Sequence, residues 1–319
     1  MIKRASLAIG AAALLAACSH DAPIAPPADA YAPIDAPTHM GAGSGGGTLD
    51  DLVFAVVGDT RPANVDDTAG YPTAIVQQIF ADVQADPAQP RFAVTTGDYM
   101  FASTTGSAVD PQLDLYLGAR ASYTGVVYPA MGNHECNGYT DSNCGPAGKN
   151  GEPPNYTEFM GRMVSDIGES SAYYIERFAA ADKSWTAKFI FVAANAWDAD
   201  QNALVTTWLE QEPTTYTFVV RHEAHYSTTA PGVPPTTLLL ATVPNTLLIT
   251  GHTHTYERVP EYKEIIVGNG GAPLTGDFDY GYAIVARQPD GTLQITMKDY
   301  MTLAVLDQYS VNPDGSVVQ

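Results

Sequence analysis

Short apolar runs, each stopping at a small polar cluster, recur along this chain. Residues 52–57 (LVFAVV) end at Gly58-Asp59, and residues 91–96 (RFAVTT) end at Gly97-Asp98. Runs of this length, closed by glycine, predict strands buried on both faces. Residues 126–129 lead in the same way towards Gly132-Asn133-His134-Glu135, and further strands are expected over 188–193, 217–221 and 246–250. Apolar spacing between these runs predicts helices over 72–84, 111–120 and 200–211. Three short strands near the C-terminus, 264–267, 281–286 and 293–297, are expected to pair antiparallel. No internal repeat is visible. Strands alternating with helices predict an α/β layer fold with its helices outside.

Composition narrows the choice of function. The 319 residues carry 15 Lys plus Arg against 35 Asp plus Glu, a formal charge of −20. That balance argues against a nucleic-acid-binding or anionic-lipid-binding surface, since phosphates attract cationic patches. A 45% hydrophobic content is enough for a sizeable core. Three cysteines exclude a disulfide-dense scaffold and a four-cysteine zinc knuckle.

The N-terminus reads as an address. A basic start (Lys3, Arg4), an apolar run and Leu15-Ala16-Ala17-Cys18 make residues 1–18 a secretory signal. Small residues directly before a cysteine resemble the lipobox of bacterial lipoproteins, which implies acylation of Cys18 and a membrane lipid anchor. The expected location is the bacterial envelope, outer membrane or periplasm-facing, or otherwise secretion. Residues 19–49, rich in Ala, Pro and Gly, are expected to be a flexible tether. Residues 50–319 remain for one α/β domain.

Five predicted strands end in Asp59, Asp98, Asn133, His222 and His252/His254. Strand ends along one sheet edge are where open α/β folds build ligand sites. Carboxylate and amide oxygens with imidazole nitrogens suit Mn²⁺, Fe²⁺ or Zn²⁺. Burying so many polar groups in one corner is costly unless something binds them.

Gly58-Asp59, Gly97-Asp98, Gly132-Asn133-His134-Glu135, His222 and Gly251-His252-Thr253-His254, in this order, resemble the calcineurin-like metallophosphoesterase superfamily. The segment 251–258 (GHTHTYER) is most similar to its purple acid phosphatase branch. The resemblance implies a four-layer sandwich, two mixed β-sheets flanked by helices, with a site for two divalent ions. Asp59 and His254 would serve the first ion, Asp98 would bridge, and Asn133, His222 and His252 would serve the second. Two ions about 3.5–4 Å apart hold a bridging hydroxide and clamp the phosphoryl oxygens, so Asn133 would also lie against substrate. His134 would act as catalytic proton donor or phosphate contact. Glu135 reads as loop support. The implied activity is hydrolysis of phosphate mono- or diesters, on a small molecule or a phosphorylated macromolecule.

Two positions depart from the pattern. Where the superfamily usually has a further imidazole ligand, two residues after the first aspartate, this chain has Arg61. Arginine stays protonated and cannot coordinate a cation. It either weakens the first metal position or clamps substrate phosphate. The tyrosine of the purple branch, three residues after the bridging aspartate, is Phe101 here. A ferric charge-transfer colour is therefore not expected, and ordinary divalent ions are. The arginine motivates an alternative: a non-catalytic surface lipoprotein that binds metal or phosphate.

His225 either faces substrate or decorates its loop. Cys136 and Cys144 flank seven residues, and in an exported chain they are expected to form a disulfide beside the site. Trp185, Trp197 and Trp208 read as packing residues. Asn195 ends a strand at a position resembling one near the family's metals.

Overall fold

The structure, a computed structural model, describes residues 39–103, 107–137, 154–276 and 278–319. Thirteen strands in these residues form two mixed sheets. The six-stranded sheet contains β2 (Val53–Val57), β3 (Phe92–Thr95), β4 (Val126–Pro129), β11 (Gly281–Arg287), β12 (Leu293–Asp299) and β13 (Val305–Val311), in the order β13-β12-β11-β2-β3-β4. The seven-stranded sheet contains β1 (Gly46–Leu49), β5 (Tyr174–Ala180), β6 (Thr186–Val192), β7 (Tyr216–Arg221), β8 (Leu247–Thr250), β9 (Tyr256–Val259) and β10 (Glu264–Val267), ordered β1-β5-β6-β7-β8-β10-β9. The helices are α1 (Thr73–Ala85), α2 (Val109–Arg120), α3 (Asn133–Asn137), α4 (Pro154–Phe159), α5 (Ala199–Glu210) and α6 (Val233–Leu240). None of the described helices is long and apolar enough to cross a membrane.

Strand alternation sorts the core into layers. Along β2, Phe54 and Val56 point between the sheets, while Val53, Ala55 and Val57 point towards the helical side. Between the sheets the aromatic rings interlock: Phe92 stacks on Phe178 with centroids 4.5 Å apart, and Phe189 stacks on Phe218 at 4.3 Å. Outside the six-stranded sheet, α1 buries Val76, Ile79, Phe80 and Val83, the three- and four-residue spacing of one helix face. Helices α5 and α6 pack Val205, Leu209 and Val233 on Ile190, Val192, Val219 and Leu248 of the other sheet. The result is helix, sheet, sheet, helix, as expected. Trp185 is buried between the sheets, and Trp197 and Trp208, the latter on α5, pack against the outer cluster of Ile190, Val205 and Leu209, all as packing residues.

The tether reading needs correction at its end. Gly46–Leu49 is strand β1, buried and paired parallel with β5 through Gly46↔Arg177 and its neighbours. Its glycines serve close approach rather than slackness, since a Cβ on Gly46 would lie 1.7 Å from the Arg177 carbonyl oxygen. Residues 1–38 and Cys144 lie outside the described residues, so the signal, the Cys18 anchor and the Cys136–Cys144 pairing do too. The C-terminal strands 281–287 and 293–299 pair antiparallel as expected, whereas β10 runs parallel to β8 and antiparallel only to β9. The loop carrying His252 and His254 leads into β9, which reverses the chain, and β10 pairs with β9 and returns in the direction of β8.

Candidate metal centre

Strands β2, β3 and β4 are parallel to one another, as are β6, β7 and β8. Their carboxyl ends deliver the polar clusters from both sheets to one corner. Asp59 follows β2, Asp98 follows β3, Asn133 opens α3 after β4, His222 follows β7, and His252 and His254 follow β8. The motif glycines permit this crowding: a Cβ on Gly132 would lie 2.3 Å from Asp98 Oδ1, and one on Gly251 would lie 2.3 Å from Asp59 Oδ2. Asp59, Asp98, His252 and His254 all have left-handed backbones, with φ of 56, 59, 71 and 47°. Such a conformation costs an L-residue about 1–2 kcal/mol, and its concentration at these four positions aims each side chain inward.

Four ligand-type atoms converge. Asn133 Oδ1, His222 Nε2 and His252 Nδ1 form a triangle with every side 3.1 Å. Asp98 Oδ1 lies 3.2 Å from His222 Nε2. The Nδ1–H of His222 donates to the Thr96 carbonyl oxygen at 2.8 Å, which turns Nε2 towards the cluster. Two oxygens and two imidazole nitrogens thus face one another. Spacing near 3 Å is what ligand bonds of about 2.0–2.2 Å produce around one cation. These residues fit a divalent ion.

Beside them, ligand atoms of Asp59, Asp98 and His254 lie within 4.8 Å of one another, a second group able to hold a metal. The Nδ1–H of His254 donates to the Pro273 carbonyl oxygen at 2.9 Å, leaving Nε2 3.6 Å from Asp59 Oδ1. Arg61 enters this group: Nε donates to Asp98 Oδ2 and Nη2 to His254 Nε2, both at 3.3 Å. Asp59 also accepts the His252 backbone N–H, at 3.1 Å on Oδ1 and 2.9 Å on Oδ2.

Charge pulls these groups apart in acidity. Burial raises the Asp59 carboxyl well above the usual carboxylate range, helped by Asp98. Burial also disfavours ionised Asp98, but His134, His222 and Arg61 hold it well below that range. His222 loses solvation on burial, yet Asp98 and Asp59 raise it well above an ordinary imidazole. Burial, then Arg61, lowers His254.

The surrounding residues fix the geometry. Glu135 accepts the backbone N–H groups of Asp98, Tyr99 and Gly132 at 2.8, 2.8 and 2.9 Å, tying the β3 and β4 loops together. It is the loop support expected, and burial with the Asp98 charge pushes its carboxyl up to about 7. His134 is buried, with Nε2 3.6 Å from Asp98 Oδ2 and its ring 4.5 Å from that of Phe101. Its backbone N–H donates to Asp98 Oδ1 at 3.2 Å. Cys136 Sγ lies 3.3 Å from the Asn195 carbonyl oxygen, which places buried Asn195 next to α3. His225 is fixed by Glu264 and Tyr262, its Nδ1 2.5 Å from Glu264 Oε2 and its ring stacked on Tyr262 with centroids 3.6 Å apart.

Sequence reasoning did not find Glu223. It is fully buried directly after His222, and neither carboxylate oxygen has a hydrogen-bond partner. An acidic residue inside the His222 segment was the available signal.

The architecture has known counterparts. A purple acid phosphatase from yellow lupin (Lupinus luteus) seeds superposes with a TM-score of 0.60 and 15% identity, over 82% of this chain and 54% of that one. The chain thus spans about half the length of the lupin protein. GAP50, the anchor in the inner membrane complex of Plasmodium, superposes with a TM-score of 0.58 and 15% identity, over 82% of this chain and 89% of that one. These likenesses establish a shared fold. No curated protein matches the sequence. The calcineurin-like phosphoesterase family model matches residues 52–256, which run from β2 to the last of the convergent histidines and just beyond. With that match spanning well over half its length, the chain belongs to the calcineurin-like phosphoesterase family.

Proposed function

We propose that this protein is an exported, metal-dependent phosphoesterase, hydrolysing phosphate mono- or diesters at the corner where the two sheets meet. One observation carries the reading: Asn133 Oδ1, His222 Nε2 and His252 Nδ1 form a triangle of 3.1 Å sides, and Asp98 Oδ1 lies 3.2 Å from His222 Nε2. A divalent ion held there would supply Lewis acidity towards a phosphoryl oxygen and lower the pKa of bound water. Mn, Fe or Zn suits the donors, and Phe101 in place of a phenolate argues against a ferric centre.

The chain's own residues divide the remaining work. His134, beside Asp98 and at the rim of the donor cluster, is positioned to give a proton to the departing oxygen. Arg61 supplies fixed positive charge for the phosphoryl group. Glu135 holds the loops of Asp98 and Asn133 in register. Residues 1–18 supply the export signal, Cys18 the lipid anchor, and Cys136 with Cys144 a disulfide beside α3.

The test is hydrolysis of an aryl phosphate by the full mature chain in the presence of Mn²⁺. Turnover that is abolished by chelator, and by either Asp98→Ala or Asn133→Ala, is expected. Turnover surviving both substitutions contradicts the reading.

The presence of Arg61 among Asp59, Asp98 and His254 favours a second reading, a phosphate-binding or metal-binding surface lipoprotein without turnover. Metal binding at the same four atoms with no hydrolysis of any phosphate ester would select it.

A further inference from the structure

The two departures from the family pattern meet in space. Arg61 Cζ lies 4.6 Å above the centroid of the Phe101 ring. All three of its nitrogens are engaged: Nε with Asp98 Oδ2 at 3.3 Å, Nη2 with His254 Nε2 at 3.3 Å, and Nη1 with the Pro62 carbonyl oxygen at 3.0 Å. The side chain is only 14% exposed. A guanidinium packed on an aromatic face and hydrogen-bonded at each nitrogen has a built seat rather than a chance rotamer.

That seat lies on the first metal position. His254 has committed its Nδ1–H to Pro273, so the lone pair on Nε2 is the one Arg61 takes. The Oδ2 of Asp98 accepts from the same guanidinium. A lone pair given to an N–H is not available to a cation, and a cation placed between these atoms would confront a positive charge at contact distance. Arg61 also bonds Asp98 of the neighbouring cluster, but through Oδ2, whereas Oδ1 is the atom that faces His222 Nε2.

Resting on the metal-dependent reading above, we propose that Arg61 replaces the first metal ion. The centre then holds one divalent ion, on Asp98, Asn133, His222 and His252, with the guanidinium as its permanent neighbouring cation. One N–H on each Nη remains for a phosphoryl oxygen. The ligand class is therefore an anion that bridges one ion and one guanidinium. Asp59, whose carboxylate accepts the His252 N–H, becomes a positioning residue for the occupied site.

The experiment loads the full mature chain with excess Mn²⁺, removes unbound metal by gel filtration, and counts ions by mass spectrometry alongside the electron paramagnetic resonance spectrum. One ion per chain and the six-line spectrum of isolated Mn²⁺ are expected. Arg61→His should raise the count to two and bring exchange coupling. Two ions per wild-type chain, or a coupled wild-type spectrum, overturns the proposal while leaving the phosphoesterase reading intact. No bound ion at all overturns the metal reading itself, and this proposal with it. Should Arg61→His fail to fold, the wild-type count decides, supported by Asp59→Asn, which should keep its single ion; loss of that ion overturns the assignment of Asp59.

Discussion

At the scale of single residues, the site is governed by which atoms have hydrogens to give. His222 and His254 each spend Nδ1–H on a backbone carbonyl, which turns both Nε2 atoms towards the centre. His134 is different, since its Nε2 lies 3.6 Å from Asp98 Oδ2, outside the tight triangle of ligand-type atoms. His134→Ala should accordingly slow aryl phosphate hydrolysis by about 10²–10⁴-fold, the range for loss of a general acid, while bound metal is retained. Metal analysis beside steady-state kinetics checks this, and parallel loss of the ion would make His134 a ligand instead. The residues that converge, and their order along the chain, were legible in the sequence, because glycine-closed apolar runs mark strand ends. The seat of Arg61 was not: it depends on a contact with His254 across 193 positions of chain. The orientation of His225 was equally hidden, fixed by Glu264 on a strand 39 residues away.

At the scale of elements, the buried central strands β2, β3, β6, β7 and β8 were readable, whereas β1, β5, β9 and β13 were not. Strand β13 (VLDQYSV) is an edge with mostly half-exposed residues, and β1 begins with two glycines, so neither carries a continuous apolar run. Gly46→Ala tests whether β1 is structural. Its new methyl would meet the Arg177 backbone, so a lowered melting temperature is expected, whereas a slack tether would absorb the change unnoticed. Strand β5 hides Glu176, fully buried with both carboxylate oxygens lacking partners. Burial, reinforced by Glu169 and opposed by Arg177, raises its carboxyl from 4.5 to about 9. Below about pH 4.5 both folded and unfolded chains are protonated there, and this group leaves stability untouched. Between the two values only the unfolded chain ionises, so stability falls as pH rises, levelling above about 9. Glu176→Gln removes this slope. Denaturant midpoints at pH 5 and pH 8 should show the variant gaining on wild type at the higher pH, by about 1 kcal/mol or more; a constant difference would contradict a buried neutral carboxyl.

At the scale of the whole molecule, the two sheets meet through a lattice of rings that also sets how the strand ends align. Phe189 touches Phe54 edge-on at 4.9 Å, Phe92 edge-on at 5.3 Å and stacks on Phe218 at 4.3 Å, joining both sheets. Phe189→Ala should lower unfolding free energy by about 3–5 kcal/mol, read as a shift in urea midpoint. The layered fold followed from alternating strands and helices, but the partition of strands between two sheets did not, because it rests on which apolar faces oppose each other. The corner that results gathers Asp98 and Asn133 from one sheet with His222 and His252 from the other. Anomalous scattering from crystals of the protein soaked in Mn²⁺ tests that convergence most directly. A peak within coordination distance of Asp98 Oδ1, Asn133 Oδ1, His222 Nε2 and His252 Nδ1 is the predicted result. A metal bound elsewhere, or those four side chains turned away from any shared ion, would contradict it.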